Sequence, residues 1–154
     1  MKLIEDTRQK IGMHDVKNQY WVEHGHSVIR CKLPFGDYAI VPSIAVDTKQ
    51  DMSEIVNNLT TEHKRFREEC KLAKEYGCQL VILVENEEGI TQIRDIANWK
   101  NPRRFVSPRA PKGEQIVRSM FTMQERYGVR FEFCKPEEAG AKVLEILEEG
   151  RGNG

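Results

Sequence analysis

The sequence predicts a single α/β domain, a mixed sheet with helices on both faces, and three observations carry that prediction. Apolar and polar residues alternate over residues 27–33 and again over 38–48, the period of half-buried strands. Over 51–76 the apolar positions Ile55, Leu59, Phe66, Cys70, Leu72, Ala73 and Tyr76 change to helical spacing. Residues 79–84 are almost continuously apolar, as in a central strand covered on both faces.

The 154 residues suffice for one domain with a real core. Lys plus Arg and Asp plus Glu both number 24, so net charge neither supports nor excludes a polyanionic partner, and the distribution of charge must decide. With 39% hydrophobic and 31% charged residues the composition is that of a soluble globular protein. The sequence has no apolar run of membrane length and no signal peptide, which predicts a cytoplasmic protein without a membrane partner. Cys31, Cys70, Cys78 and Cys134 lack zinc-site spacing and read as reduced thiols. His14, His24, His26 and His63 read as solvated side chains.

Residues 2–4 form a short strand that runs into Glu5, Asp6, Thr7, Arg8, Gln9 and Lys10. A helix over 13–24, ended by Gly25, turns Val16, Tyr20 and Trp21 inward. Pro34-Phe35-Gly36 turns the 27–33 strand into a hairpin, so three consecutive antiparallel strands are expected. Asp51 and Glu54 make an acidic capping box for the following helix, and the weak helix formers between Asn57 and Thr61 break it. Beyond the break, Lys64, Arg65, Arg67, Lys71 and Lys74 are the densest basic set in the chain. The 79–84 strand ends in Glu85, and residues 87–101 commit to no single period.

Residues 101–113 are a loop by their prolines, and Lys100, Arg103, Arg104, Arg109 and Lys112 occur there without an acid. With Phe105 and Trp99 this loop either follows a phosphate backbone and stacks a base, or is a crossover whose aromatics plug the core. A helix over 114–127 buries Ile116, Val117, Met120 and Met123 and is capped by Gly128, and a strand follows over 129–134. Pro136 starts the last helix, through Leu147, with Ala139, Val143, Leu144 and Leu147 inward. The domain spans 1–149, and the glycine-rich 150–154 tail is expected to be disordered.

The acids of the predicted hairpin point to chemistry. A three-residue connection at Val41-Pro42-Ser43 would pair Ile40 with Ile44, Tyr38 with Val46 and Asp37 with Asp47, keeping each face chemically uniform. Lys49 follows two residues beyond Asp47, on the same side. Carboxylates held together repel, and a divalent cation bound through oxygen neutralises them; Mg²⁺ suits such a pair. An ammonium beside the metal can orient an attacking water or steady charge on a phosphate. A solvated hairpin edge would carry the same letters, so this motif alone is weak.

The wider arrangement resembles the XPF-type structure-specific endonucleases, a branch of the PD-(D/E)XK nuclease superfamily. Gly36-Asp37-Tyr38 followed by Val46-Asp47-Thr48-Lys49 resembles the family's GD…ERK signature. Leu3 to Arg8 resembles its first strand, ending in D-x-R-E; Arg65 to Glu69 resembles its R-x-x-x-Q helix; Leu80 to Glu85 resembles the strand that follows. The chain departs from the pattern at Gln9, Asp47, Thr48 and Glu69, where the family has Glu, Glu, Arg and Gln.

The resemblance implies a restriction-endonuclease-like three-layer α/β fold, a mixed central sheet with an antiparallel catalytic hairpin flanked by helices. It implies Mg²⁺, with Mn²⁺ as a substitute, held by Asp37, Asp47 and the Thr48 carbonyl, and Lys49 placing the water that attacks a phosphodiester. Asp6, Glu5 and Arg8 would belong to the same cleft, and Lys10, Lys64, Arg65, Arg103 and Arg104 would contact nucleic acid. The substrate implied is branched DNA, a flap, fork or junction. A homodimer through the last two helices is expected, using Met120, Phe121 and the 143–147 face. Two other readings stay open: a nuclease fold that binds DNA after losing cleavage, and a superfamily nuclease with another nucleic-acid substrate.

Overall fold

The computed structural model describes residues 1–12 and 15–151, and the chain forms two compact units, Met1–Pro42 and Ser43–Gly154. Each is built on its own three-stranded sheet. The α/β class holds, with parallel and antiparallel pairs and flanking helices.

In the first unit β1 (Lys2–Glu5) lies between β2 (Ser27–Arg30), parallel to it, and β3 (Tyr38–Ile40), antiparallel to it. α1 (Asp15–Glu23) connects β1 to β2, as a parallel pair requires. Its expected start at Met13, and His14, lie outside the described residues. The inward face expected of α1 is not found: Val16 and Tyr20 are 84% and 56% exposed and no residue of the helix is buried. Its apolar residues are spread around the axis and make no stripe. Tyr20 stacks on His24, and Trp21 meets the sheet edge-on to Tyr38, with ring centroids 5.0 Å apart.

The hairpin expected between β3 and β4 (Ile44–Lys49) does not form. β3 takes β1 as its partner, with Leu3 opposite Ile40 and Glu5 opposite Tyr38, while β4 runs parallel to β5 (Gln79–Glu85), with Asp47 beside Ile82. The ladder that would set Asp37 opposite Asp47 is therefore absent. Period-two alternation states which residues of a strand share a face and leaves the partner strand open. The backbone bonds on either side of Pro42 show where each strand was committed: Val41 donates its N–H to Lys2, and Gln79 donates to Ser43.

The second unit is an all-parallel sheet ordered β4-β5-β6, with β6 at Arg130–Cys134. β5 is its centre, and Leu80 to Val84 are all buried, as the continuous apolar run predicts. Alternation divides this strand between two cores. Leu80, Ile82 and Val84 join the large cluster under α2 (Met52–Leu59), α3 (His63–Glu75) and α4 (Gly113–Tyr127). Val81 and Leu83 face Ile146 and Val143 of α5 (Ala139–Arg151). The unit thus has three layers, helices over both faces of a sheet.

Local signals placed most of these helices correctly. The Asp51 carboxylate caps α2 by accepting from the Glu54 N–H at 2.8 Å, and Glu54 accepts from the Gln50 N–H at 2.7 Å. The expected break separates α2 from α3 between Leu59 and His63, where the Thr60 hydroxyl donates back to the Val56 carbonyl. Residues 87–101, which commit to no period, form a 3₁₀ segment at Ile93–Asn98 that buries Ile93 and Ile96. α4 begins tightly against it: a methyl group on Gly113 would come within 2.1 Å of the Ile96 carbonyl oxygen.

α5 differs from its predicted form in register and length. Ile146 is its buried residue, whereas Leu144 and Leu147 are exposed. The helix continues to Arg151, so Gly150 and Arg151 of the expected disordered tail are helical, and residues 152–154 lie outside the described residues. Gly150 packs where a methyl group would overlap Ile44, and its carbonyl accepts from the Ser43 hydroxyl at 3.1 Å. Among the described residues no helix is long and apolar enough to cross a membrane.

Candidate active site

Within the second unit, Asp47, Lys49, Glu54, Arg65, Phe66 and Glu69 line part of a cleft of about 680 Å³. Strand alternation brings the first two together. Ile44 and Val46 point to the α5 side, so Asp47 and Lys49 point to the α2–α3 side. Lys49 is only 8% exposed; its Nζ lies 3.1 Å from Asp47 Oδ2 and over the Phe66 ring, 6.0 Å from the centroid. Arg65 and Glu69, one helical turn apart, reach the cleft from α3.

Glu69 is the acid that sequence reasoning underrated, because it stands where the resembling motif has Gln. Partial desolvation against the cleft wall pushes its carboxyl above the usual range. The Asp47 carboxylate beside it pushes the same way, by its charge and by a hydrogen bond, and Lys49 opposes the rise. The same cleft shapes Cys70, one residue on: burial first, then Glu69 and Asp47, push its thiol up to about 12, so it is an inert core thiol.

Two carboxyl groups side by side in one cleft are a donor set for a divalent cation. No group of three or more His, Cys, Asp or Glu side chains suited to a metal occurs among the described residues. A pair is what Mg²⁺ needs, since it binds through one or two carboxylates and keeps waters or substrate phosphates as its other ligands. The residues present therefore fit the ion.

The raised Glu69 has a consequence for stability. A carboxyl whose native pKa exceeds its unfolded value binds its proton more tightly in the native state, so stability falls as pH rises through the interval between the two. Without divalent ions, Glu69→Gln is expected to be at least as stable as the parent at neutral pH, with its advantage shrinking toward acid pH. Urea unfolding near about pH 5 and about pH 8 checks this. A variant whose advantage is larger at the acid end contradicts it.

The other predicted residues lie in the first unit. Asp37 is exposed, and its carbonyl accepts from the Asp6 N–H at 2.8 Å. Asp6 is buried and fully engaged: Oδ1 accepts from the Leu33 N–H at 3.0 Å and Oδ2 from the Arg8 guanidinium. The Leu33 N–H and Arg8 hold its carboxyl below the usual range against the opposing effect of burial. Glu5, also buried, accepts from Arg30, whose other nitrogen donates to the Gln9 and Thr7 carbonyls. These two acids thus pin the loops around β1, a role that no sequence motif announced. Lys10 is exposed.

In the second unit Thr48 and Lys64 are exposed. Arg103 is exposed, but Arg104 is half-buried and donates to the Ala110 carbonyl at 2.8 Å, tying the proline loop together. The two readings of the loop aromatics divide: Trp99 packs on the core, and Phe105 is 88% exposed and plugs nothing.

The family model described as the ERCC4 domain matches residues 7–147 of this chain. The chain is 30% identical over 82 residues to the DNA repair protein RAD1 of Saccharomyces cerevisiae, a stretch covering 51% of the chain and 7% of that relative. Among solved structures it is similar to XPF from Aeropyrum pernix, with TM-score 0.47 and 22% identity over 99% of the chain and 65% of the other. A structure of XPF from Aeropyrum pernix in complex with DNA gives TM-score 0.47 and 24% identity, covering 99% of the chain and 64% of the other. The chain spans about two thirds of those structures and a small part of the curated relative. Matched to the ERCC4 domain over most of its length, the chain belongs to the ERCC4-domain family.

Proposed function

We propose that this ERCC4-domain chain is a divalent-metal-dependent endonuclease that hydrolyses phosphodiester bonds in branched DNA. The observation that carries the reading is the meeting of Asp47, Lys49 and Glu69 in one cleft, with Arg65 at its side. Similarity to a DNA repair protein supports DNA as the substrate. A bound Mg²⁺, or Mn²⁺ in its place, would offset the paired charges and polarise a phosphate oxygen. Asp47 and Glu69 would hold it through carboxylate oxygens, with the Thr48 carbonyl as a further ligand. Lys49, held by Asp47 and the Phe66 ring, orients the attacking water and steadies charge growing on the phosphate. For Asp37, Asp6 and Arg8, which belong to the first unit, the motif match alone supports the assignment. Arg65, Lys64, Lys10 and Arg103 would bind the backbone, with Phe105 free to stack on a base.

Among the described residues no helix resembles a base-reading one, and selectivity is assigned to DNA shape. The deciding experiment offers linear duplex, single strand, flap, fork and junction DNA with Mg²⁺, Mn²⁺ or a chelator. Cutting of the branched forms only when metal is present is expected. Binding without cutting in either metal would favour a nuclease fold that has kept only its DNA surface, a reading supported by the exposed Thr48 where the motif has Arg. Cutting confined to RNA would reassign the substrate.

A homodimer is proposed as well, with its surface revised. Met120 is wholly buried and cannot take part, and Phe121 of α4 lies across the sheet from α5, which leaves Leu144 and Leu147 of α5, at 67% and 39% exposed. Phe121 is already covered on one side by the Arg94 guanidinium, 5.5 Å from its ring. Light scattering is expected to give twice the chain mass, and Leu144→Glu to give the single mass. A monomeric parent at tens of micromolar sinks the dimer.

A further inference from the structure

α3 has two working flanks. At about 100° per residue, Arg65 and Glu69 face the cleft, whereas Arg67 points about 160° away from Arg65. His63, Arg67, Lys71 and Lys74 share that second flank by their spacing. There a groove of about 390 Å³ opens between α3 and α4, lined by His63 and Arg67 from one helix and Gln115, Arg118, Ser119 and Arg126 among those from the other. Among the described residues no carboxylate lines it.

The α4 wall is a stripe: Gln115, Arg118, Ser119, Thr122 and Arg126 recur at i, i+3, i+4, i+7 and i+11, all with hydrogen-bond donors. Among the described residues none of Arg67, Arg118 and Arg126 is in an ion pair, although the chain has as many acids as bases. All three arginines are exposed, and the Lys74 ammonium is occupied on the Arg126 carbonyl at 2.9 Å, which docks the two helices side by side. Arg118 and Arg126 are about 12 Å apart along the axis at 1.5 Å per residue. That matches about three to four nucleotides at 3.4 Å along a strand.

We propose that this groove is a second seat for a nucleic-acid backbone, so that opposite flanks of α3 engage two arms of one branched molecule. Arginines, hydroxyls and an amide without an acid form the donor set that contacts phosphate oxygens and reads no base. The inference deepens the proposed function and rests on DNA being the substrate.

The test is the salt dependence of binding to a labelled junction, by fluorescence anisotropy in a chelator, for the parent, the double variant Arg118→Ala with Arg126→Ala, and its lysine counterpart Arg118→Lys with Arg126→Lys. Two lost phosphate contacts should flatten the log–log salt slope by about 1.8 and weaken binding at least about tenfold at 0.1 M salt. The lysine variant should keep most of the slope, and all three proteins should melt alike. An alanine variant with the parent's slope and affinity overturns the groove while leaving the cleft reading intact. A parent that binds no DNA removes both. At equal ionic strength, phosphate in place of chloride should not compete. Phosphate that displaces the junction from the parent but not from the alanine variant would make this a free-phosphate site and overturn the nucleic-acid assignment.

Discussion

Asp47→Asn should abolish cleavage and leave DNA binding intact. The substitution keeps side-chain volume and removes the negative charge, so the Lys49 ammonium loses its partner at 3.1 Å and Glu69 loses the neighbouring charge that pushes its carboxyl upward. A cation that needs two carboxylates would then find one. Turnover on branched DNA in Mg²⁺ should fall by about 10²–10³-fold, the scale of losing one electrostatic stabiliser. Binding measured in chelator should hold or tighten, since a carboxylate that repels phosphate is gone. Asp47→Asn protein that cuts as fast as the parent would place the activity elsewhere.

Lys49→Met should be nearly as damaging, and it reports on the coupling inside the cleft. Methionine keeps an apolar stem over Phe66 and deletes the ammonium. If Lys49 positions the attacking water, turnover drops at least about 10²-fold without loss of DNA binding. The ammonium also opposes the upward shift of Glu69, so its removal should move the Glu69 titration still higher. A ¹³C-detected titration of the Glu69 carboxyl checks this. A cleavage loss with the Glu69 titration unmoved would show that Lys49 and the carboxylate pair do not act together. The fold should persist at a cost of about 1–3 kcal/mol, less than a fully buried pair would show, because the Asp47 side chain is 25% exposed.

The parts of the cleft that were legible in the sequence are those set by short-range geometry. Asp47 and Lys49 had to share a face because side chains alternate along a strand, and Arg65 had to lie one turn from Glu69 because both are on one helix. The partner of Asp47 was not legible. The letters at Asp37 suggested a cross-strand acid, but β3 pairs with β1; the acid seen beside Asp47 within the second unit comes from α3, because β4 pairs with β5 and carries its polar face under that helix. A motif read against a family pattern also hid Glu69, since a departure from Gln looks like a loss until the neighbouring carboxylate is seen.

The sequence by itself determined the α/β class, the buried β5 strand, the capped and broken α2–α3 segment, and the apolar face of α4. Each of these follows from periodicity, caps and turn chemistry acting within about a dozen residues. Only the tertiary structure decided that β3 and β4 join different sheets, that α1 buries none of its residues, and that α5 buries Ile146 in place of Leu144. Those outcomes depend on which surface each element meets. A strand's hydrogen-bonding edge and a helix's weak stripe are satisfied equally well by several partners, and the choice is made by packing between segments far apart in the chain.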